Sequence, residues 1–141
     1  MKWIVLPALL AGVVAFVSPA QSQSIGGCWH YSDGANVFSS VCFNGSDGGT
    51  FNLEYAVEDP EQGMVKGSCN GVIEVGARSE TEVAFTVPVQ EEACRQEDQV
   101  FRMAQRDYSC VLDGARLLCD LTVYYDDGTV FSEATGLEYA R

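Results

Sequence analysis

The amino-acid sequence predicts an all-β domain, a small antiparallel up-and-down barrel of seven or eight strands or a sandwich, with three disulfides and at most one short helix. Short segments in which apolar and polar residues alternate recur along the chain, and clusters of glycine, asparagine and aspartate separate them. This pattern is typical of strands joined by tight turns. In addition, residues 108–125 have the sequence of a β-hairpin that two cysteines can lock.

The hairpin over residues 108–125 predicts one disulfide by its geometry. A two-residue loop at Gly114 and Ala115 places Cys110 opposite Cys119, on a pair that exchanges no backbone hydrogen bonds. The Cβ atoms of such a pair lie close to the separation of ~3.8 Å that a disulfide prefers. We therefore predict a Cys110–Cys119 bond with both side chains facing the barrel interior.

The first two strands are predicted over residues 25–31 and 37–43, with a turn sequence between them. Centring this hairpin on Ala35 places Cys28 opposite Cys42. The same geometric reasoning therefore predicts a second disulfide, Cys28–Cys42.

The next three strands follow at similar intervals. Residues 50–58 alternate between apolar and polar side chains, as expected of a strand with one face in the core and one in solvent. Residues 64–75 form one bent strand or two, with a break near Gly71. Residues 81–87 form a further strand, which Pro88 ends.

Residues 90–105 allow two interpretations. Apolar residues at Ala93, Val100 and Phe101 have helical spacing, which favours a short helix. Alternatively, a loop over residues 91–98 leads into a strand that begins near Val100. We expect a short helix or turn that is followed by a strand.

The last strand is predicted over residues 130–139, after a tight Asp-Gly turn. A two-residue loop pairs Tyr125 with Val130 and Val123 with Ser132, whereas a three-residue loop with a bulge pairs Tyr125 with Phe131. The two registers place different side chains in the core, and the sequence leaves both open.

The N-terminal residues have the organisation of a secretory signal peptide. Lys2 precedes an apolar segment at residues 4–17, and small residues follow up to Ala20. The segment is shorter than the ~20 residues of a membrane span and lacks a basic flank. We predict cleavage after Ala20, or after Ser22 as the second choice, and a single domain over residues 21–141.

All six cysteines follow the predicted signal peptide. An even number of cysteines in an exported chain indicates three disulfides that form in an oxidising compartment. With the two pairs above assigned, Cys69 and Cys94 form the third pair by elimination. The sequence therefore predicts a periplasmic or extracellular protein.

The protein is acidic, with a formal charge of −12. Removing residues 1–20 takes away one of the eight basic residues and none of the twenty acidic ones, which leaves −13. Nucleic acids and anionic membrane surfaces both require clusters of lysine and arginine. We therefore expect no nucleic-acid partner and no stable membrane insertion.

The sequence offers few residues for catalysis. His30 is the only histidine, and all six cysteines can pair, whereas triads, zinc sites and thiol nucleophiles need histidine or a free thiolate. Carboxylates are numerous, but no spacing marks an acid–base pair or a calcium loop. We expect no catalytic residue, no metal and no cofactor, and hence a function other than that of an enzyme.

Gly27, Cys28 and Trp29 resemble the G-x-W motif of the calycin superfamily, which includes the lipocalins. In those barrels the first-strand tryptophan packs across one end, often against an arginine of the last strand, and the resemblance gives that role to Arg141. In size and export signal the chain is similar to small periplasmic barrels that inhibit secreted metalloproteases. Those inhibitors insert their mature N-terminus into the protease, which the resemblance assigns to residues 21–25.

Together these inferences predict a secreted or periplasmic, non-catalytic binding protein of lipocalin-like barrel type. Its aromatic side chains should mostly fill the interior, with a minority lining a ligand cavity or an exposed patch. The partner is an unknown small ligand or a protein such as a protease. The alternatives are a protease inhibitor acting through the mature N-terminal segment, a small carboxylate-dependent hydrolase and a structural envelope protein.

Overall fold

The computed structural model describes residues 25–45 and 47–141. The described residues form ten strands and no helix: β1 Gly27–Ser32, β2 Val37–Asn44, β3 Gly48–Asp59, β4 Gly63–Arg78, β5 Glu82–Val87, β6 Gln90–Gln96, β7 Gln99–Met103, β8 Arg106–Asp113, β9 Arg116–Tyr124 and β10 Val130–Ala140. The predicted signal peptide at residues 1–20 and the lead at residues 21–24 lie outside the described residues.

The ten strands close into an eight-stranded antiparallel barrel. The order around the ring is β1, β2, β3, β4, β5, β8, β9 and β10, and β10 pairs again with β1. β5 and β6 pair in succession with the same strand, β4, and β7 continues into β8. Strands β5–β6 and β7–β8 therefore form the two arms of one long hairpin, and β6 and β7 are its outer part. The predicted all-β antiparallel barrel is confirmed.

The up-and-down order gives the barrel two different ends. One end holds the start of β1 at Gly27 and the end of β10 at Ala140, and we name it the Trp29 end. The other end holds the turns that follow β1, β3, β6 and β9, and we name it the turn end.

Aromatic rings fill the interior between these ends. Phe85 and Tyr108 stack with their ring centroids 4.6 Å apart, and Phe43 meets Phe85 edge-on at 5.4 Å. The rings of Phe51 and Tyr139 lie 6.3 and 6.5 Å from that of Tyr108. All five residues are buried, because alternate side chains of each strand point into the barrel.

Three disulfides have the predicted pairing: Cys28–Cys42, Cys69–Cys94 and Cys110–Cys119. In each pair the two cysteines lie directly opposite in neighbouring strands. The first bridge lies on the outer face of the barrel, next to inward-facing Trp29, and the other two are buried. Three disulfides of this kind are typical of proteins from oxidising environments.

The expected helix or turn within residues 90–105 is wrong over its first part, which forms β6. β6 pairs with β4 at the Cys69–Cys94 bridge, so a neighbouring strand supplies its backbone hydrogen bonds. Glu92 and Glu97 have φ values of 56° and 55°, which an α-helix excludes and which fit a bulge and the β6–β7 turn. The strand expected to follow is present as β7.

Of the two alternatives for residues 64–75, the single strand is confirmed, and β4 extends beyond it at both ends without a break at Gly71. A Cβ atom built at Gly71 would lie 2.6 Å from the Gln90 side chain and 2.7 Å from that of Met103. The glycine therefore lets β6 and β7 pack closely over a continuous strand.

Neither pairing considered for Tyr125 in the last hairpin occurs, but the two-residue register is correct from Ser132 onward, where Ser132 pairs with Val123. The Tyr125 N–H donates to the Thr129 carbonyl at 2.8 Å, and the ladder pairs Tyr124 with Val130. Phe131 then occupies a bulge before the ladder resumes at Ser132. The extra residue in β10 separates the Tyr124–Val130 pair from the predicted Val123–Ser132 pair, and alternation in a single strand does not reveal such a bulge.

Candidate binding cleft at the turn end of the barrel

The Trp29 end is closed by a packed tryptophan. Trp29 is fully buried, and its Nε1 donates to the Ile25 carbonyl at 2.7 Å. The guanidinium carbon of Arg141 lies 4.2 Å from the centroid of the Trp29 ring, a cation–π distance. Arg141 Nη1 also donates to the Gly26 carbonyl at 2.8 Å. The structure thus brings together the two residues that the calycin resemblance pairs.

The segment assigned to protease insertion is partly inside this packing. Ile25 is 2% exposed, so it belongs to the core and is not available to a protease, which corrects its assignment to the inserted segment. Residues 21–24, the rest of that segment, lie outside the described residues.

The structure places His30 on the outer face of the barrel and every cysteine in a disulfide. His30 is exposed on the outer face, where its ring stacks on Phe38 with centroids 5.9 Å apart. All six cysteines form disulfides. Within the described residues, no group of three or more His, Cys, Asp or Glu side chains is arranged to hold a metal ion.

A polar chain runs through the interior near the turn end. Arg106 Nε donates to the Tyr108 hydroxyl at 3.1 Å, and the Arg106 guanidinium carbon lies 5.4 Å from the centroid of Phe51. Burial raises the pKa of Tyr139, and the nearby Tyr108 raises it further. The Ser39 hydroxyl lies beside that of Tyr139, but Ser39 Oγ completes no hydrogen bond of good geometry with a described residue.

Arg106 has an unusual electrostatic environment for so acidic a protein. It forms no ion pair with any carboxylate in the described part of the chain, although the whole chain carries twenty acidic residues. Its charge is instead placed against aromatic faces, which attract cations. The hydroxyl of Tyr108 and the guanidinium of Arg106 therefore lie among aromatic rings in this part of the interior.

A cleft of about 710 Å³ opens beside the β9–β10 turn. Its walls come from the end of β9, the turn, the start of β10 and the residue after β7: Ala104, Val123, Tyr124, Tyr125, Asp126, Asp127, Thr129 and Phe131. Val123 pairs with Arg106 in the β8–β9 ladder, so the cleft adjoins the strand position that carries the interior cation. The cleft is shallow and largely open to solvent, and its volume lies within the ~300–1,000 Å³ of common ligand sites.

Two aromatic rings form the exposed wall of this cleft. Tyr125 is 53% exposed and Phe131 58% exposed, and their rings meet edge-on with centroids 4.9 Å apart. Edge-on contact is a favoured geometry for aromatic pairs. The pair leaves a large apolar surface in water, and covering it with a ligand is favourable.

The rim of the cleft is acidic. The Asp127 carboxylate accepts hydrogen bonds from the hydroxyl of Thr129 at 2.6 Å and from its N–H at 2.9 Å. These bonds lower the pKa of Asp127, which keeps the carboxylate ionised. Asp126 accepts a 2.5 Å bond from Arg102 of β7, and Arg102 also lies 3.5 Å from Glu91. These exposed ion pairs contribute little stability, but they join β7 to the β9–β10 turn.

The sequence did not assign the residues of this cleft. Tyr124, Tyr125 and Phe131 belong to the aromatic set that was expected mostly in the interior, whereas Tyr124 points outward and a hydrogen bond with Asp107 raises its pKa. The feature of the sequence that could have indicated these residues is the ambiguous strand pairing after Tyr125. A bulge at that point places one more side chain at the rim, and Phe131 occupies it.

The fold and the cleft define a disulfide-bonded, eight-stranded antiparallel barrel with a rim cleft. No protein-family model matches this chain, and neither the curated proteins nor the solved structures provide a significant match. None of the described residues belongs to a helix long and apolar enough to span a membrane.

Proposed function

We propose that this protein is a secreted, non-catalytic binding protein of lipocalin-like barrel type. Its ligand group is apolar or aromatic and enters the cleft at the turn end. The observation that carries this proposal is the exposed Tyr125–Phe131 pair on the wall of a 710 Å³ cleft.

The distribution of apolar surface supports binding at this place. The interior is occupied by the protein's own rings, so a ligand finds its apolar contacts at the rim. There, Tyr125 and Phe131 are held in place by the turn and the bulge before any ligand arrives. Preorganised aromatic groups lose little conformational entropy on binding.

Two further observations support the lipocalin-like class and the location. Arg141 covers Trp29 across one end of the barrel, as in the calycin proteins that the sequence resembles. The three disulfides favour a periplasmic or extracellular site of action.

The proposal is tested by an NMR screen of small aromatic fragments, both neutral and cationic, against the isotopically labelled mature protein. We expect ligand-induced shifts at the backbone amides that border the cleft, from Val123 to Phe131. The double substitution Tyr125→Ala/Phe131→Ala should weaken binding at least about tenfold, since each buried ring contributes ~1–3 kcal/mol.

The matched control is Val72→Ala/Val111→Ala, which removes two side chains of similar exposure, 52% and 46%, on the outer faces of β4 and β8. This variant should bind the fragments as the unchanged protein does. Fragments that bind elsewhere, or equally well to both double variants, would contradict the proposal.

A further inference from the structure

Strand β7 has a free edge. It pairs with β6 on one side and with no described strand on the other. This free edge continues the edge by which β8 pairs with β9. The β8–β9 pairing stops where the Tyr124 N–H donates to the Gln105 carbonyl at 3.1 Å, and beyond that point β9 turns away.

The β6–β7 turn determines which backbone groups face the free edge. Gln96 pairs with Gln99 across a two-residue turn, so this is a hydrogen-bonded pair, and Cys94 with Phe101 is the next such pair. The N–H and C=O groups of Val100 and Arg102 therefore point away from β6. These are the groups that an added strand would use.

The free edge borders the cleft. Ala104, which follows β7, lines the cleft together with the β9–β10 turn, and Arg102 of β7 reaches Asp126 of that turn. The outward backbone groups of β7 therefore lie next to the cleft, and the exposed Tyr125–Phe131 rings form its wall. This combination matches strand addition, in which the backbone gives affinity and alternate side chains enter pockets.

The charge of the region determines the charge of the partner. Asp126 and Asp127 line the cleft, and Glu91 lies beside Arg102. Across β6, β7, the β6–β7 turn and the β9–β10 turn, six acidic residues (Glu91, Glu92, Glu97, Asp98, Asp126 and Asp127) outnumber Arg95, Arg102 and the adjoining Arg106, and the whole chain carries −12. A second copy of the chain would bring the same negative charge to the edge, whereas a basic segment is attracted to it.

We propose that the cleft binds an extended basic peptide segment, which adds as a strand to the free edge of β7. An apolar or aromatic side chain of the segment packs on Tyr125 and Phe131, and a lysine or arginine near it pairs with Asp126 or Asp127. This inference rests on the proposed function of the cleft as a binding site, and it specifies the partner.

The experiment starts from selection of a phage-displayed library of random twelve-residue peptides on the immobilised mature protein. We expect enrichment of peptides in which lysine or arginine flanks an aromatic or large aliphatic residue. The best peptide is then synthesised, and its Kd is measured by calorimetry at low and high salt. Binding should weaken at least about fivefold at high salt because the contact is partly electrostatic.

Strand addition is tested by backbone changes on both partners. N-methylation of the peptide residues whose N–H groups face β7 should weaken binding about tenfold or more, while methylation of the alternate residues should change it less than about threefold. On the protein, Val100→Pro removes one outward N–H and leaves the β6–β7 ladder intact. It should weaken binding about tenfold, and Val100→Ala, which keeps the N–H, should not.

The outcomes separate this inference from the proposed function. If no peptide is enriched while aromatic fragments bind the cleft, the inference is wrong and the proposed function stands. The same holds if peptides bind without the alternating response to methylation, or if the protein pairs with itself in sedimentation analysis through β7. If Tyr125→Ala/Phe131→Ala leaves both peptide and fragment binding unchanged, both proposals are wrong.

Discussion

Replacing Cys69 and Cys94 together by alanine should cost more stability than replacing Cys110 and Cys119. The Cys69–Cys94 bridge closes a chain separation of 25 residues, and the Cys110–Cys119 bridge closes one of 9. On the chain-entropy treatment these bridges stabilise the folded state by about 3.5 and about 2.6 kcal/mol at 25 °C. The loop lengths therefore predict a difference of about 0.9 kcal/mol.

The two bridges form a matched pair because their surroundings are similar. Cys69 and Cys94 are 3% and 2% exposed, and Cys110 and Cys119 are each 1% exposed. The loss of buried sulfur is then nearly equal in the two variants, so the loop lengths account for the calculated difference. Cys69–Cys94 has a local role in addition, since it holds the β6–β7 hairpin to β4 across three paired positions.

The assay is equilibrium unfolding of the mature protein in urea, followed by far-ultraviolet circular dichroism, for the unchanged protein and the two double variants. Native-state hydrogen exchange on the Cys69→Ala/Cys94→Ala variant should show loss of protection in β6 and β7 before the remainder of the barrel. If this variant were as stable as the Cys110→Ala/Cys119→Ala variant, or more stable, the loop-length reasoning would be refuted.

Three further predictions concern the Trp29 end, the core and the compartment. Arg141→Ala should shift the fluorescence of Trp29 to longer wavelength and cost about 1 kcal/mol, with Arg141→Lys intermediate; unchanged emission would contradict the contact. Burial raises the pKa of Tyr139 above the ordinary 10.0. The stability contributed by the neutral hydroxyl is therefore complete below pH 10 and is lost progressively as the pH rises above 10 towards the raised pKa. When the pH is raised to about 11, the unchanged protein should lose more resistance to urea than the Tyr139→Phe variant. An equal loss in the two proteins would count against this reasoning. Intact mass after alkylation should show a chain that lacks residues 1–20 or 1–22 and has no labelled cysteine; labelling would disprove three complete disulfides.

Several features of the fold could be predicted because the forces that determine them are local. The two-residue loop at Gly114 and Ala115 places Cys110 opposite Cys119 from ten consecutive residues. Strand β5 has Val83 buried, as alternation predicts. In both cases the side chains of a strand point alternately to its two faces, so the sequence pattern and the pleat share a period of two residues.

The path of residues 90–103 was mispredicted for the opposite reason. A helical spacing of apolar residues is present there, but pairing with β4 and the bridge at Cys69 give its backbone hydrogen bonds to another strand. A long-range partner of this kind overrides a weak local preference. Gly71, which suggested a break, instead accommodates the side chains that arrive from β6 and β7.

The sequence by itself determined the strand alternation, the two hairpin disulfides and the acidic charge, because each depends on residues that are close in the chain or on composition alone; the pair Cys69–Cys94 followed by elimination. The tertiary structure decided where the barrel leaves apolar surface in water. Phe131 reaches the rim through a bulge whose register depends on pairing with β9, and β7 keeps a free edge because β9 turns away after Tyr124. The end of β7 and the β9–β10 turn are separated in sequence by the whole β8–β9 hairpin, so only the closed barrel places both features at one cleft.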